Sequence, residues 1–132
     1  EEGIPAILEE KPSEGDILAI EDESLLTRAW KLFFSTKGYH LDIAEDGASG
    51  IKAFIRTHPK LVLLDLGLTD RDGKEVYEQL HKIDPGVPVL VVSAHSERKE
   101  EMLELGVNGF FDKPVDMEAL MAKVTEMIHK KE

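Results

Sequence analysis

Four short apolar runs in this chain each lead into a polar side chain. The runs are Ile17–Ile20, Leu61–Leu64, Val89–Val92 and Phe110–Phe111. Runs that are apolar throughout are typical of strands buried on both faces of a parallel sheet. Because the carboxyl ends of parallel strands share one edge where ligands bind, the residues that follow the runs should meet there. These residues are Glu21, Asp22, Asp65, Ser93 and Lys113. Such a set suits a divalent cation beside a phosphoryl group.

Strand and helix patterns alternate five times from Asp16 onward. This alternation predicts an α/β fold, with helices on both faces of a parallel sheet. We expect a doubly wound, flavodoxin-like sheet of five strands in the order 2-1-3-4-5, with its ligand crevice between strands one and three. The predicted strands cover about 16–21, 39–44, 61–65, 87–93 and 108–112, and the predicted helices cover about 23–37, 47–57, 73–83, 96–105 and 116–130.

Apolar spacing within the predicted helices indicates which residues face the core. The inward positions should be Leu26, Ala29, Trp30 and Phe33 in the first helix, Ala48, Ile51 and Ile55 in the second, Val76, Leu80 and Ile83 in the third, and Met117, Leu120, Val124 and Met127 in the fifth. Leu25 and Leu32 lie off the first of these stripes, and we expect them to be exposed.

Composition limits the classes of function. A chain of 132 residues is expected to form one domain, and the absence of cysteine excludes disulfides, zinc–thiolate sites and thiol nucleophiles. The net charge of −11 disfavours direct binding to nucleic acid, whose affinity depends on cationic contacts to phosphate. Residues 1–15 resemble an acidic tail or a linker remnant. With no bilayer-length apolar run and no signal-peptide pattern, we expect a cytoplasmic protein without membrane contacts.

The predicted cluster of carboxylates requires something to balance its charge. Buried carboxylates repel one another, so they need either a cation or raised pKa values, and a hard ion with oxygen ligands such as Mg²⁺ would satisfy them. Asp65 alone could be a turn former or a helix cap. Lys113 could be a solvated surface residue or a point charge for a phosphoryl oxygen. Ser93 could satisfy a turn amide or direct its hydroxyl toward Asp65.

Four motifs together carry a resemblance to a known family. They are Ile20-Glu21-Asp22-Glu23, Leu63-Leu64-Asp65-Leu66-Gly67-Leu68 with Asp72-Gly73, Val91-Val92-Ser93-Ala94, and the run from Gly106 to Pro114. Over residues 16–130, the chain resembles a receiver domain of the two-component response regulators. The resemblance implies a phosphoacceptor switch and not an enzyme with a separate substrate.

The resemblance also implies the roles of the acidic residues. Asp65 would accept a phosphoryl group from a phosphohistidine on a partner. Asp22 and Asp65 would bind Mg²⁺ through their side chains, and Gly67 would add its backbone carbonyl. Glu21 would act on the same ion through water. Glu21 stands where the family more often has aspartate.

Other matching positions imply a switch. Lys113 and Ser93 would bind the phosphoryl oxygens, and Phe110 would pack inward when Ser93 moves. The Lys113-Pro114 peptide bond is expected to be cis. Gly67 and His95 lie where the family's hydrolytic water passes, so they would tune the lifetime of the phosphorylated form. His95 could orient that water, obstruct it, or be an ordinary exposed loop residue.

The implied partners are a sensor histidine kinase or histidine phosphotransferase, and a downstream effector protein or domain that reads the face formed by helix four, strand five and helix five. A homodimer is a further alternative. The first helix borders the site, so Leu25 and Leu32 could form a patch that docks the phosphodonor. Two other functions stay open: a Mg²⁺-dependent phosphohydrolase with an aspartyl nucleophile, and a receiver that binds proteins without phosphorylation. Gly67 disfavours the hydrolase, which commonly has aspartate at that position.

Overall fold

A computed structural model describes residues 16–131 and the side chains of residues 16–129. In this part of the chain, five parallel strands form one sheet in the order β2-β1-β3-β4-β5, and five α-helices alternate with them. The predicted fold class and strand order are therefore confirmed. The predicted tail, residues 1–15, lies outside the described residues. None of the described helices has the length and apolar character needed to cross a bilayer.

The elements fall close to the predicted bounds. The strands are β1 Ile17–Ile20, β2 Leu41–Ala44, β3 Leu61–Leu64, β4 Val89–Ser93 and β5 Gly109–Asp112. The helices are α1 Ser24–Thr36, α2 Gly47–Thr57, α3 Gly73–Ile83, α4 Lys99–Leu105 and α5 Met117–Lys131.

Two apolar layers enclose the sheet. Leu18 and Ile20 of β1 face a layer that contains α2, α3 and α4, whereas Ile17 and Ala19 face a layer that contains α1 and α5. Every residue of β1, β3 and β4 is therefore buried. This arrangement explains the continuous apolar runs, because alternate side chains on each strand meet helices on opposite faces.

The segment after β4 differs from the single helix predicted over 96–105. It begins with a 3₁₀ turn, Ser96–Arg98, which leads into the short helix α4. Gly106 ends α4 with a φ of 116°, a left-handed conformation that glycine adopts without a side-chain clash.

Three predicted inward positions are wrong. Ala29, Ile55 and Ile83 are exposed. The buried face of α1 is formed by Thr27, Trp30 and Phe34, and α2 turns Ala53, Phe54 and Thr57 inward. Ile83 is the last residue of α3, and the chain beyond it is exposed over 84–86. Apolar spacing placed one edge of the buried face wrongly in α1 and α2, and it extended the buried face of α3 by one residue too many. Leu25 and Leu32 are exposed as expected.

Candidate functional site

Strands β1 and β3 bring three carboxylates together at one edge of the sheet. The two strands are paired with Ile20 beside Leu64, so the residues that follow them are neighbours. One carboxylate oxygen from each of Glu21, Asp22 and Asp65 lies within 4.8 Å of the other two. Glu21 and Asp65 are buried, and Asp22 is half-buried. The chain has thus placed three acids where solvent can stabilise their charges only in part.

Lys113 reaches this cluster from the end of β5. Its Nζ lies 3.0 Å from Glu21 Oε1, 3.2 Å from Glu23 Oε1 and 3.7 Å from Asp65 Oδ1. The Lys113 backbone N–H donates to the Ser93 carbonyl over 3.0 Å, which ties this residue to β4. The Lys113–Pro114 peptide bond is cis, as expected. The contact with Glu23 was not predicted, although three consecutive acids at the end of β1 offered a signal for it.

Burial is the largest single influence on the pKa values of this cluster. Desolvation raises the pKa of Glu21 to about 7, although Lys113 opposes the rise and Asp65 adds to it. Desolvation also raises the pKa of Asp65, again against the effect of Lys113. Burial opposes the charge of Lys113, yet its close contact with Glu21 and its attraction to Asp65 outweigh burial and raise the pKa of the ammonium.

The oxygens of the cluster fit a hard divalent cation. Glu21 Oε1 is buried and has no well-directed hydrogen bond, so its 3.0 Å contact with Lys113 is an ion pair by distance alone. Its oxygen therefore keeps a lone pair available inside the site. With Asp22 and Asp65, it forms an all-oxygen donor set of the kind that Mg²⁺ prefers. A bound cation would also relieve the repulsion that contributes to the raised pKa values.

Ser93 ends β4 and is fully buried. Its hydroxyl oxygen accepts a hydrogen bond of 3.0 Å from the backbone N–H of His95. Ser93 therefore satisfies a turn amide, which is one of the two roles that the sequence allowed. The bond holds the hydroxyl against the loop that follows β4. Phe110 is half-buried, lies beside Val91 in the β4–β5 pairing, and packs against the layer that contains α2, α3 and α4.

His95 lies over Gly67 at the mouth of the site. A Cβ atom built on Gly67 would lie 3.1 Å from His95 Nε2 and 3.9 Å from Asp65 Oδ2. The His95 side chain is 52% exposed, and its Nδ1 lies 3.5 Å from Glu97 Oε2. His95 is therefore both an exposed loop residue and a close neighbour of the Asp65 side of the cleft.

The loop after Asp65 is anchored by residues whose role the sequence did not reveal. Asp70 accepts hydrogen bonds from the N–H groups of Gly47 (2.8 Å) and Ala48 (3.0 Å) at the start of α2. These bonds, led by that of Gly47, lower the pKa of Asp70. A Cβ atom on Gly73 would lie 2.5 Å from the backbone oxygen of Asp65, so only glycine fits there. The sequence did offer one signal for this role, because Asp70 is an acidic residue in a tight loop for which no partner had been predicted.

A family model described as response regulator receiver domain matches residues 17–125. The chain is 29% identical over 116 residues to the transcriptional regulatory protein GlrR of Escherichia coli K12, covering 86% of this chain and 26% of GlrR. It is 31% identical over 117 residues to the virulence transcriptional regulatory protein PhoP of Salmonella typhimurium 14028s, covering 86% of this chain and 52% of PhoP. The chain thus spans a quarter to a half of these relatives.

Solved structures show the same architecture. A CheY-like receiver domain protein from Methanospirillum hungatei superposes with a TM-score of 0.81 at 27% identity, covering 86% of this chain and 93% of that chain. TrrA from Thermotoga maritima, solved in complex with Mg²⁺-BeF, superposes with a TM-score of 0.78 at 24% identity, covering 84% of this chain and 96% of that chain. At this identity the second likeness shows the fold alone.

Proposed function

This chain belongs to the response regulator receiver domain family, and we propose on that premise that Asp65 is its phosphoacceptor. Receiver domains are regulatory phosphoacceptor domains. The proposed reaction transfers a phosphoryl group from a phosphohistidine of a sensor histidine kinase or histidine phosphotransferase. A carboxylate oxygen of Asp65 forms a bond to phosphorus while the bond from phosphorus to the histidine nitrogen breaks, and that nitrogen keeps the electron pair.

The observation that carries the proposal is the placement of Lys113 against Asp65 and Glu21. Phosphoryl transfer depends mainly on in-line positioning and on neutralising the charge of the transferred group. Lys113 Nζ, 3.7 Å from Asp65 Oδ1, is close enough to pair with phosphoryl oxygens on that carboxylate. Its raised pKa keeps the side chain charged at neutral pH.

Mg²⁺ is the cofactor we propose, since the acidic cluster fits a hard ion. Asp22 and Asp65 would hold it through their side chains, with Gly67 contributing its backbone carbonyl and Glu21 acting through water. When bound, the ion would supply positive charge to balance the phosphoryl oxygens. The structure of TrrA with Mg²⁺-BeF supports the assignment only as a protein of the same fold.

Ser93 and Phe110 form the proposed switch. A phosphoryl group on Asp65 adds strong acceptor oxygens to the cleft and so competes with His95 for the Ser93 hydroxyl. If Ser93 moves inward, the half-buried ring of Phe110 can follow it. The change would alter the surface formed by α4, β5 and α5, which we propose as the site that an effector or a second copy of the chain reads.

His95 and Gly67 are proposed to set the lifetime of phosphorylated Asp65, which the domain itself would help to hydrolyse. The absence of a side chain on Gly67 leaves room beside Asp65 Oδ2. The His95 ring occupies the far side of that opening, with Nε2 toward Gly67. The ring is therefore close enough to orient or obstruct an attacking water.

The phosphodonor is proposed to dock on α1. Leu25 and Leu32 are 79% and 70% exposed, and their spacing of two helical turns places them on the same face of α1. Beside them, a cleft of about 490 Å³ runs between α1 and the segment after β5, and Lys113 lies in its lining together with Leu26 and Met117. An apolar patch next to the reactive groups suits a helical donor protein.

A cytoplasmic location is also part of the proposed function, since it follows from the family.

The proposal is tested by incubating the protein with Mg²⁺ and acetyl phosphate and measuring its intact mass. We expect a single phosphoryl adduct that depends on Mg²⁺ and is absent in Asp65→Ala. The matched control is Asp112→Ala, an exposed aspartate at the end of β5 that should keep the adduct.

Each alternative function predicts a different result in the same assay. Turnover of many phosphomonoester molecules per protein would favour the aspartyl phosphohydrolase. Neither adduct nor turnover would favour a receiver that binds partners without phosphorylation. An adduct that persists in Asp65→Ala would show that another residue is the phosphoacceptor.

A further inference from the structure

Four charged side chains join α3 to the segment after β4, and we call this group the latch. Arg98 Nη1 donates to Asp72 Oδ1 over 2.8 Å, and Arg98 Nε donates to Glu101 Oε1 over 3.2 Å. Glu101 also accepts a hydrogen bond of 3.1 Å from Lys74 Nζ. The latch therefore consists of two acids and two bases in a continuous chain of contacts.

The latch connects the two loops that carry the reactive groups. Asp72 ends the loop that begins at Asp65, and it caps α3 by accepting from the Lys74 N–H over 3.0 Å. Arg98 ends the 3₁₀ turn that follows Ser93 and His95. A single ion pair between Asp72 and Arg98 thus links residues 26 positions apart in the sequence.

The contacts of the latch are well directed although they lie at the surface. Arg98 is only 22% exposed, whereas Asp72 is 45% exposed. The hydrogen bond between them is the main cause that lowers the pKa of Asp72 and raises the pKa of Arg98. Both groups are consequently charged at neutral pH, where their ion pair can form.

We propose that the latch holds the segment from His95 to Leu105 against α3 and opposes the movement of Ser93 toward a phosphorylated Asp65. Ser93 now accepts a hydrogen bond from His95. Moving the hydroxyl inward breaks that bond and displaces the turn that ends at Arg98, which strains the contacts of Arg98 with Asp72. The phosphorylation of Asp65 that would overcome the latch rests on the proposed function. The restraint that the latch places on residues 95–105 does not.

The expected effect is modest because the latch is partly exposed to solvent. Surface ion pairs of this kind shift a two-state ratio by about twofold to fivefold. An effect of that size suits a switch. The latch would set the population of the switched conformation in the unphosphorylated protein, and a phosphoryl group on Asp65 could still overcome the latch.

Hydrogen exchange of the unphosphorylated protein tests the restraint. In Arg98→Gln, the amides of residues 96–105 should exchange about twofold to fivefold faster than in the unaltered chain. Lys99→Gln is the matched control, because Lys99 is the adjacent residue, is exposed, and forms no ion pair with the described residues. Equal exchange in the two variants would overturn the proposal.

A second arm uses Asp72→Asn, since asparagine also caps helices and keeps the acceptor for the Lys74 N–H. The effects of Asp72→Asn and Arg98→Gln should not add in the double variant, because both remove the same ion pair. Additive effects would contradict a shared latch.

The third arm measures the rate of adduct formation with acetyl phosphate, which should rise by the same factor in Arg98→Gln. Faster exchange with an unchanged rate would show that the restraint exists but does not oppose the switch. If no variant forms an adduct at Asp65, the proposed function fails, and the exchange data still decide whether the latch restrains the segment.

Discussion

The carboxylate cluster and the latch are both networks of charged side chains, yet burial gives them opposite characters. The cluster sets Glu21 and Asp65 against one ammonium, with Asp22 beside them, and two of its three acids are buried. The latch balances two acids with two bases at the surface. Desolvation is the largest influence on the pKa of Glu21, whereas hydrogen bonding to Arg98 is the largest influence on that of Asp72. Burial together with an excess of acidic groups thus distinguishes the cluster from the latch, whose charges balance.

This difference separates a reactive site from a restraint. The buried cluster is electrostatically incomplete, so adding a cation or a phosphoryl group changes its energy strongly. The exposed latch is complete, and its removal costs little because water replaces the lost contacts. Three substitutions test this comparison, and they follow in decreasing order of expected effect.

Replacing the central ammonium should have the largest effect. In Lys113→Met, which keeps much of the apolar stem, adduct formation with acetyl phosphate should slow by roughly a hundredfold, because a positioned charge on the transferred group is lost. Intact-mass time courses measure the rate. Lys52→Met, on the exposed face of α2, should react at the rate of the unaltered protein. A rate within twofold for both variants would show that Lys113 does not contact the phosphoryl group.

Removing one buried acid should change how stability depends on pH. The folded pKa of Glu21, about 7, lies above its ordinary value of 4.5, so its contribution is fully present below pH 4.5 and is lost as pH rises through 7. Glu21→Gln should therefore gain stability relative to the unaltered protein between pH 5 and pH 8, by no more than about 3 kcal/mol.

Urea unfolding in the presence of a chelator measures this difference at each pH. Glu104→Gln, at an exposed position of α4, is the control and should show a curve parallel to that of the unaltered protein. If the curve of Glu21→Gln is also parallel, burial does not penalise the Glu21 carboxylate.

Opening the latch should have the smallest effect on stability. Arg98→Gln should lower the free energy of unfolding by less than about 1 kcal/mol, because its partners are partly exposed. The loss should shrink further in 1 M salt, where exposed charges are screened. A larger loss that salt does not reduce would mean that Arg98 contributes through packing.

Local patterns explain why much of the fold and of the site was predictable. A strand buried on both faces must be apolar throughout, and a parallel sheet must align its carboxyl ends, so Asp22, Asp65 and Lys113 could be assigned to one edge before their contacts were known. The bounds of α2 and α3 also agree with the pattern of apolar spacing. The resemblance then supplied the roles proposed for these residues.

Side-chain contacts away from the shared edge of the sheet were beyond the reach of the sequence. Apolar spacing did not determine the edges of the buried faces of α1 and α2, so Ala29 and Ile55 were misplaced. Nor did spacing reveal that Asp70 accepts hydrogen bonds from the first turn of α2 or that Arg98 meets Asp72, because such contacts depend on how separate elements pack. The sequence by itself determined which elements form, in what order, and which polar residues end them, since these follow from local periodicity. Only the tertiary structure decided the partners of each charge and its burial, because both depend on side chains brought together from distant parts of the chain.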